Sequence, residues 1–114
     1  MADMAARTKT IDDTGAVERE RVLAALRRES PKLRGLGIRR LSLFGSMARG
    51  EIDSKSDVDL LVELDPESHF SLFELLDLQD NLQALFGRPA HFAFASKLRP
   101  WLREEILEEA ISIY

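Results

Sequence analysis

The sequence predicts an α+β domain in which a small mixed β-sheet carries flanking helices. Three short segments rich in branched and aromatic residues alternate at a period of two, which is typical of strands. Patterns of helical period lie before, between and after them. With 114 residues, 45% of them apolar and 32% charged, the chain is long enough for one folded domain with one core. The predicted order of elements is α-β-turn-β-α-β-α.

The first predicted helix runs from Val17 to about Ser30, where apolar and small residues recur at helical spacing. Residues 1–14 are polar and aperiodic, so we expect them to form a flexible N-terminal tail. The folded domain is accordingly predicted to span residues 15–114.

Two strands are predicted next, over 38–44 (IRRLSLF) and 57–64 (DVDLLVEL). Gly45 ends the first strand, and Ser46 can cap a short turn of helix after it. The connection between the strands is too short for a parallel crossover, so we expect the pair to be antiparallel. Their order then brings the Gly-Ser turn and Asp57 to the same edge of the sheet.

A long helix over 69–86, ended by Gly87, is predicted to cross over to a third strand within 88–95. Pro100 opens a final helix. The closing residues 111–114 (ISIY) can pair with a sheet edge or with a partner. The long helix has more apolar residues than one buried face needs, which indicates a possible interface with a second copy, giving a homo-oligomer, or with another protein.

The composition excludes several classes of protein. A net charge of −4 lacks the positive field of proteins that bind nucleic acid directly. The chain has no cysteine, so it has neither disulfides nor cysteine-based catalysis. No apolar run is long enough to cross a membrane and the N-terminus lacks the pattern of a secretion signal, so we expect a cytoplasmic protein.

The candidate site combines two aspartates with a Gly-Ser turn. Asp57 and Asp59 point to one face of their strand, close enough to hold a divalent cation between them. Oxygen ligands of this kind suit Mg²⁺, which commonly also takes substrate phosphates as ligands. Gly45 lets a phosphate approach the backbone, while the amides and the Ser46 hydroxyl donate hydrogen bonds to its oxygens. A phosphate cradle beside a carboxylate-held metal is suited to phosphoryl or nucleotidyl transfer.

The stretch LFGSMARGEIDSKSDVDLLVEL resembles the minimal nucleotidyltransferases (MNT), a group of the DNA-polymerase-β-like superfamily. Their signature is Gly-Ser, ten residues, then Asp-x-Asp, and residues 45–59 match it without a gap. The likeness extends from about residue 20 to the C-terminus and includes LFGRP at 85–89. It implies the nucleotidyltransferase fold and Mg²⁺-dependent transfer of AMP from ATP. It also implies an antitoxin that modifies a tyrosine of a HEPN-domain ribonuclease toxin, its partner.

Carried over by position, the resemblance makes Gly45 and Ser46 the binding residues for the triphosphate. Asp57 and Asp59 become the catalytic ligands of the metal. Arg49, just after the turn, can steady a phosphate through its guanidinium.

Arg49 has an equally plausible structural use, as the ion-pair partner of Glu51 or Asp53. Lys55 has a similar, weaker claim to the phosphate.

One position departs from the family pattern. The family usually places a third aspartate on the third strand, and this chain has His91 there. An imidazole cannot supply the missing charge, so one expectation is an impaired enzyme that neutralises its toxin by direct binding. A second is a working site in which His91 is a catalytic base or favours Mn²⁺. A third is that the alignment is displaced and His91 lies elsewhere; a sensor that binds ATP without turnover is a weaker alternative.

Overall fold

A four-stranded mixed sheet forms the centre of the protein. The computed structural model describes residues 2–53 and 56–114, with side chains from Gly15 onward in those ranges. The strands lie in the order β3-β2-β1-β4. Their bounds are Ile38–Phe44 (β1), Val58–Leu64 (β2), Ala90–Phe94 (β3) and Ile111–Ser112 (β4). The predicted α+β class with a small mixed sheet is confirmed.

The pairing of the strands follows the predicted topology. β1 and β2 are antiparallel, with Leu43 opposite Leu60. β2 and β3 are parallel, because the helix that joins them, Leu72–Phe86, returns the chain to the edge from which β2 starts. β4 pairs antiparallel with β1. Of the two options for the closing residues, a sheet edge or a partner, the structure shows the sheet edge.

Five α-helices accompany the sheet in the described part of the chain. Their bounds are Ala2–Arg28 (α1), Ser30–Gly35 (α2), Gly45–Ala48 (α3), Leu72–Phe86 (α4) and Pro100–Glu109 (α5), and a 3₁₀ turn spans Ala95–Lys97. α2 is separate from α1 because Pro31, in its first turn, has no amide hydrogen with which to continue the α1 ladder.

Two helix starts differ from the prediction. α1 is helical from Ala2, well before the expected start near Val17. Once the packed part of a helix exists, each added residue costs little, and residues 2–14 contain neither glycine nor proline to stop it. A domain boundary at residue 15 stays a prediction. α4 begins at Leu72 and not near residue 69, because Ser71 caps it by accepting the N–H of Glu74 at 3.2 Å.

The core lies mainly on one face of the sheet. Val58, Leu60 and Val62 of β2 are buried in it together with residues of α1, α4 and β1. On the opposite face Leu61 packs with Ala95 and Ile106, so α5 covers the face of β2 that also carries Asp59. This placement of α5 brings the end of that helix towards the Gly45 turn.

The apolar side chains of α4 that exceed one buried face are exposed to solvent. Leu72, Phe73 and Leu76 have 66%, 80% and 48% of their surface accessible. No helix in the described residues is both long enough and apolar enough to span a bilayer.

Candidate active site

The two aspartates lie where three strands approach one edge of the sheet. Asp57 immediately precedes β2, and Asp59 is its second residue. Asp59 pairs with Phe44, the last residue of β1, and with His91 near the start of β3. The antiparallel pairing therefore places Gly45, the next residue after β1, beside the carboxylates.

Gly45 lies in direct contact with Asp59. Its φ is +79°, in the left-handed region that favours glycine. A Cβ added there would overlap Asp59 Oδ2 and lie 3.2 Å from the carboxyl carbon. The backbone at the turn thus approaches the carboxylate more closely than any other residue type allows.

The environment of Asp59 disfavours its charge. Burial is the main cause of a raised Asp59 pKa, and the Asp57 carboxylate adds to it, while His91 and Arg49 act in the opposite direction. A cation between the two carboxylates would offset both the burial and the repulsion. The donor set therefore fits a divalent cation.

Asp57 and Asp59 are the residues that could hold such a cation. Among the side chains that the structure describes, no three metal-ligating groups converge. A cation here would complete its coordination with water and substrate oxygens, as Mg²⁺ commonly does.

His91 lies at the same edge as the aspartates. Its Nε2 is 2.9 Å from Asp57 Oδ2, and its side chain is 56% exposed. A neutral imidazole in this position donates Nε2–H to the carboxylate or, after rotation, offers a nitrogen to an incoming hydroxyl. The three residues that sequence reasoning named as catalytic therefore lie at the same edge of the sheet, with direct contact between His91 and Asp57.

Arg49 is paired with two acidic side chains. Its Nε donates to Glu51 Oε2 at 3.1 Å, which is one of the ion pairs that the sequence indicated as an alternative to phosphate binding. Its Nη1 donates to both carboxylate oxygens of Glu109, at 3.1 and 3.0 Å. Hydrogen bonding to Glu109, the larger cause, and to Glu51 raises the pKa of Arg49. Sequence reasoning missed Glu109, which lies 60 residues away along the chain.

Ser46 lies in the first turn of α3, where its carbonyl oxygen accepts the N–H of Glu51 at 2.9 Å. The side chain is half-buried beside Gly45. Lys55, the weaker candidate for a phosphate contact, lies outside the described residues.

Arg88 holds the segment that leads into the first aspartate. Its Nη1 donates to the carbonyl oxygens of Asp53 and Ser56, at 2.8 and 3.0 Å, and its Nε lies 3.4 Å from a Glu18 carboxylate oxygen. The side chain is only 16% exposed. The Gly-Arg-Pro sequence at 87–89 was part of the resemblance, but its spacing alone did not indicate this contact.

Comparison with known proteins identifies the family. A model of the nucleotidyltransferase domain matches residues 19–113, nearly the whole of the described domain. The chain belongs to the nucleotidyltransferase family. The predicted membership is confirmed.

Relatives of this nucleotidyltransferase are also small. It is 32% identical over 96 residues to "Protein adenylyltransferase MntA" of Thermococcus cleftensis, covering 84% of this chain and 93% of that protein. A solved structure described, provisionally, as a minimal nucleotidyltransferase is 34% identical with a TM-score of 0.62, covering 88% of this chain and 93% of the other. These relatives support its place among the minimal members.

A more distant structural neighbour is a toxin–antitoxin with AMP-PNP. It is 16% identical with a TM-score of 0.62 and covers 77% of this nucleotidyltransferase and 72% of that chain. At this identity the likeness extends to the fold alone.

Proposed function

We propose that this nucleotidyltransferase is an antitoxin that transfers AMP from Mg²⁺-bound ATP to a tyrosine of a cognate HEPN-domain toxin. The observation that carries the proposal is the contact between Gly45 and Asp59. It places the turn that we propose to bind phosphate beside a carboxylate that we propose to hold the metal. A triphosphate bound at the turn would lie beside the carboxylates that would hold the ion.

In this proposal Gly45 and Ser46 bind the triphosphate through backbone amides and the serine hydroxyl. Asp57 and Asp59 hold Mg²⁺, which when bound neutralises phosphate charge and lowers the pKa of the attacking oxygen. The tyrosine oxygen forms a bond to the α-phosphorus, the bond from that phosphorus to the bridging oxygen of the β-phosphate breaks, and pyrophosphate leaves. His91 takes the tyrosine proton on the ring nitrogen that carries no hydrogen. In an alternative role, the imidazole would be a nitrogen ligand that favours Mn²⁺.

One relative supports a protein acceptor, and a shared fold is the support for a toxin partner. The Thermococcus cleftensis relative is named a protein adenylyltransferase, so its acceptor is a protein. The structural neighbour with AMP-PNP is a toxin–antitoxin. A cytoplasmic location, where ATP is plentiful, belongs to the same proposal.

The proposal is tested by incubating the protein with α-labelled ATP, Mg²⁺ or Mn²⁺, and the toxin encoded beside it. The toxin should acquire label on a tyrosine. The Tyr114→Phe variant, which removes the only tyrosine of this chain, excludes self-labelling as the source. Asp57→Asn should abolish labelling, whereas Glu63→Gln, a loss of charge farther along β2, should leave it intact. A wild-type chain that labels nothing, together with a His91→Asp variant that does, would show that the natural site is inactive.

Neutralisation by direct binding is the second candidate. It is favoured by His91, because the resemblance implies a third carboxylate at the position where this chain has an imidazole beside Asp57. A double variant, Asp57→Asn with Asp59→Asn, separates the two candidates in a growth assay. If it still binds and neutralises the toxin, binding suffices; if it binds without neutralising, transfer is required.

We also propose that two copies of the chain associate through the exposed apolar face of α4. Sedimentation of the wild type and of a Phe73→Ser variant would test it, because Phe73 is the most exposed large apolar side chain among those that the structure describes.

A further inference from the structure

The end of α5 reaches the candidate site through Glu109, a residue outside the family motif. Its Oε1 accepts the N–H of Gly45 at 3.3 Å and Nη1 of Arg49 at 3.1 Å. Its Oε2 accepts the same Nη1 at 3.0 Å. The Glu109 carboxylate therefore engages the Gly45 amide, which the proposed function assigns to the triphosphate, and the Arg49 guanidinium, which the resemblance assigns to a phosphate.

We propose that Glu109 is an internal competitor of the triphosphate and thereby sets the affinity for the nucleotide. In the structure its carboxylate binds the Gly45 amide and the Arg49 guanidinium. A triphosphate that uses these donors displaces it. The inference rests on the proposed function, since it concerns the same site.

The competition follows from the chemistry of the donors. A backbone N–H and a guanidinium bind carboxylate and phosphate oxygens in the same way. The Gly45 amide has a single hydrogen, so it serves one acceptor well at a time. Two anions in one small site also repel each other. Glu109 and the triphosphate are therefore mutually exclusive at this turn.

The position of Glu109 at the C-terminal end of α5 is unfavourable for its negative charge, so the carboxylate depends on hydrogen bonds from Gly45 and Arg49. The last turn of α5 contains Glu108 and Glu109 and no basic residue. The carbonyl end of a helix favours cations and disfavours carboxylates. Gly45 and Arg49 supply the compensating donors from another part of the chain.

The contact can open without unfolding the domain. The Glu109 side chain is 33% exposed and that of Arg49 is 44% exposed. Ion pairs as accessible as this one are weak, so a triphosphate with its metal ion can replace the carboxylate. The helix backbone need not move for the side chain to swing into solvent.

Calorimetric titration with ATP and Mg²⁺ tests the proposal on the wild type, Glu109→Gln and Glu108→Gln. Each variant removes one negative charge from the same helical turn, but only the first removes the competing carboxylate. We expect Glu109→Gln to bind ATP about two- to tenfold more tightly than the wild type. Glu108→Gln should change the affinity much less. The gain should shrink for AMP, which lacks the β- and γ-phosphates.

Equal ATP affinities for the two glutamine variants would overturn the inference. Weaker binding by Glu109→Gln would also overturn it, because Glu109 would then be a positioning residue for Arg49. If that variant does not fold, Glu109→Asp serves, since the shorter side chain keeps the charge but loses reach, and tighter binding is again expected. Absence of ATP binding in every protein, including the wild type, would remove the proposed function as well.

Discussion

The backbone of Gly45 lies so close to the Asp59 carboxylate that there is no room for a Cβ, and only glycine fits at the turn. With a φ of +79°, an added methyl group would overlap the Asp59 carboxylate. This contact joins the end of β1 to the start of β2 and gives the candidate site its shape.

Gly45→Ala should therefore impair both stability and nucleotide binding. The left-handed backbone alone costs about 1–2 kcal/mol for a residue with a Cβ, and the overlap with Asp59 adds to that. Urea unfolding gives the stability, and titration with ATP and Mg²⁺ gives the binding.

Two other glycines provide matched controls. Gly87 has a φ of +68° but open space around it, so Gly87→Ala should show the cost of the backbone without the overlap. Gly35, in α2, has neither a left-handed backbone nor an atom that an added Cβ would meet, so Gly35→Ala should be neutral or slightly stabilising. If Gly45→Ala loses no more stability than Gly87→Ala, the contact between Gly45 and Asp59 is not important for the fold.

His91→Asp should tighten binding of Mg²⁺. The new carboxylate would stand beside Asp57, whose oxygen lies 2.9 Å from the imidazole, and a third negative ligand strengthens the hold on a hard cation. We expect an increase of about tenfold in affinity, measured by titration with Mg²⁺. His69→Asp, the same change at the exposed second histidine, should have no effect. Equal affinities for the two variants would place His91 outside the metal site.

Asp59→Asn should stabilise the apoprotein at neutral pH. Because the folded state raises the pKa of Asp59, the folded protein holds this proton more tightly than the unfolded chain does. The favourable contribution is complete below the unfolded pKa, near 3.9, and is lost as pH rises through the higher folded pKa. The wild type should thus lose stability relative to Asp59→Asn over that interval.

Urea unfolding of both proteins between pH 3 and pH 8 measures the difference, which should vanish at the acid end. Glu63→Gln on the same strand controls for a general loss of charge. Adding Mg²⁺ at pH 7 should stabilise the wild type and not Asp59→Asn. A variant less stable than the wild type at pH 7 without metal would refute the argument.

Arg88→Lys should loosen the segment before Asp57. One guanidinium nitrogen holds the Asp53 and Ser56 carbonyls at 2.8 and 3.0 Å, while another lies near Glu18. A lysine ammonium lacks the planar arrangement that serves these directions together. We expect a loss of about 1 kcal/mol in stability and slower labelling in the assay of the proposed AMP transfer. Arg103→Lys, at an exposed position of α5, is the control; if both variants behave alike, the Arg88 contacts are dispensable.

The sequence by itself determined the class of the fold and predicted several of the residues that the structure places at the candidate site. β1 begins and ends at the predicted residues because IRRLSLF is bounded by two glycines, Gly37 and Gly45. A short connection forces β1 and β2 to be antiparallel, and this pairing brings Gly45 to Asp59. All of these are local patterns or direct consequences of loop length.

Only the tertiary structure decided which side chains reach the site from distant parts of the chain. Glu109 meets Gly45 because Ile106 packs against Leu61, and this docking carries the end of α5 to the turn. Arg88 reaches the Asp53 carbonyl through the parallel pairing of β3 with β2. Periodicity describes how a segment folds against a core, whereas contacts between residues tens of positions apart depend on the angle and register at which whole elements pack.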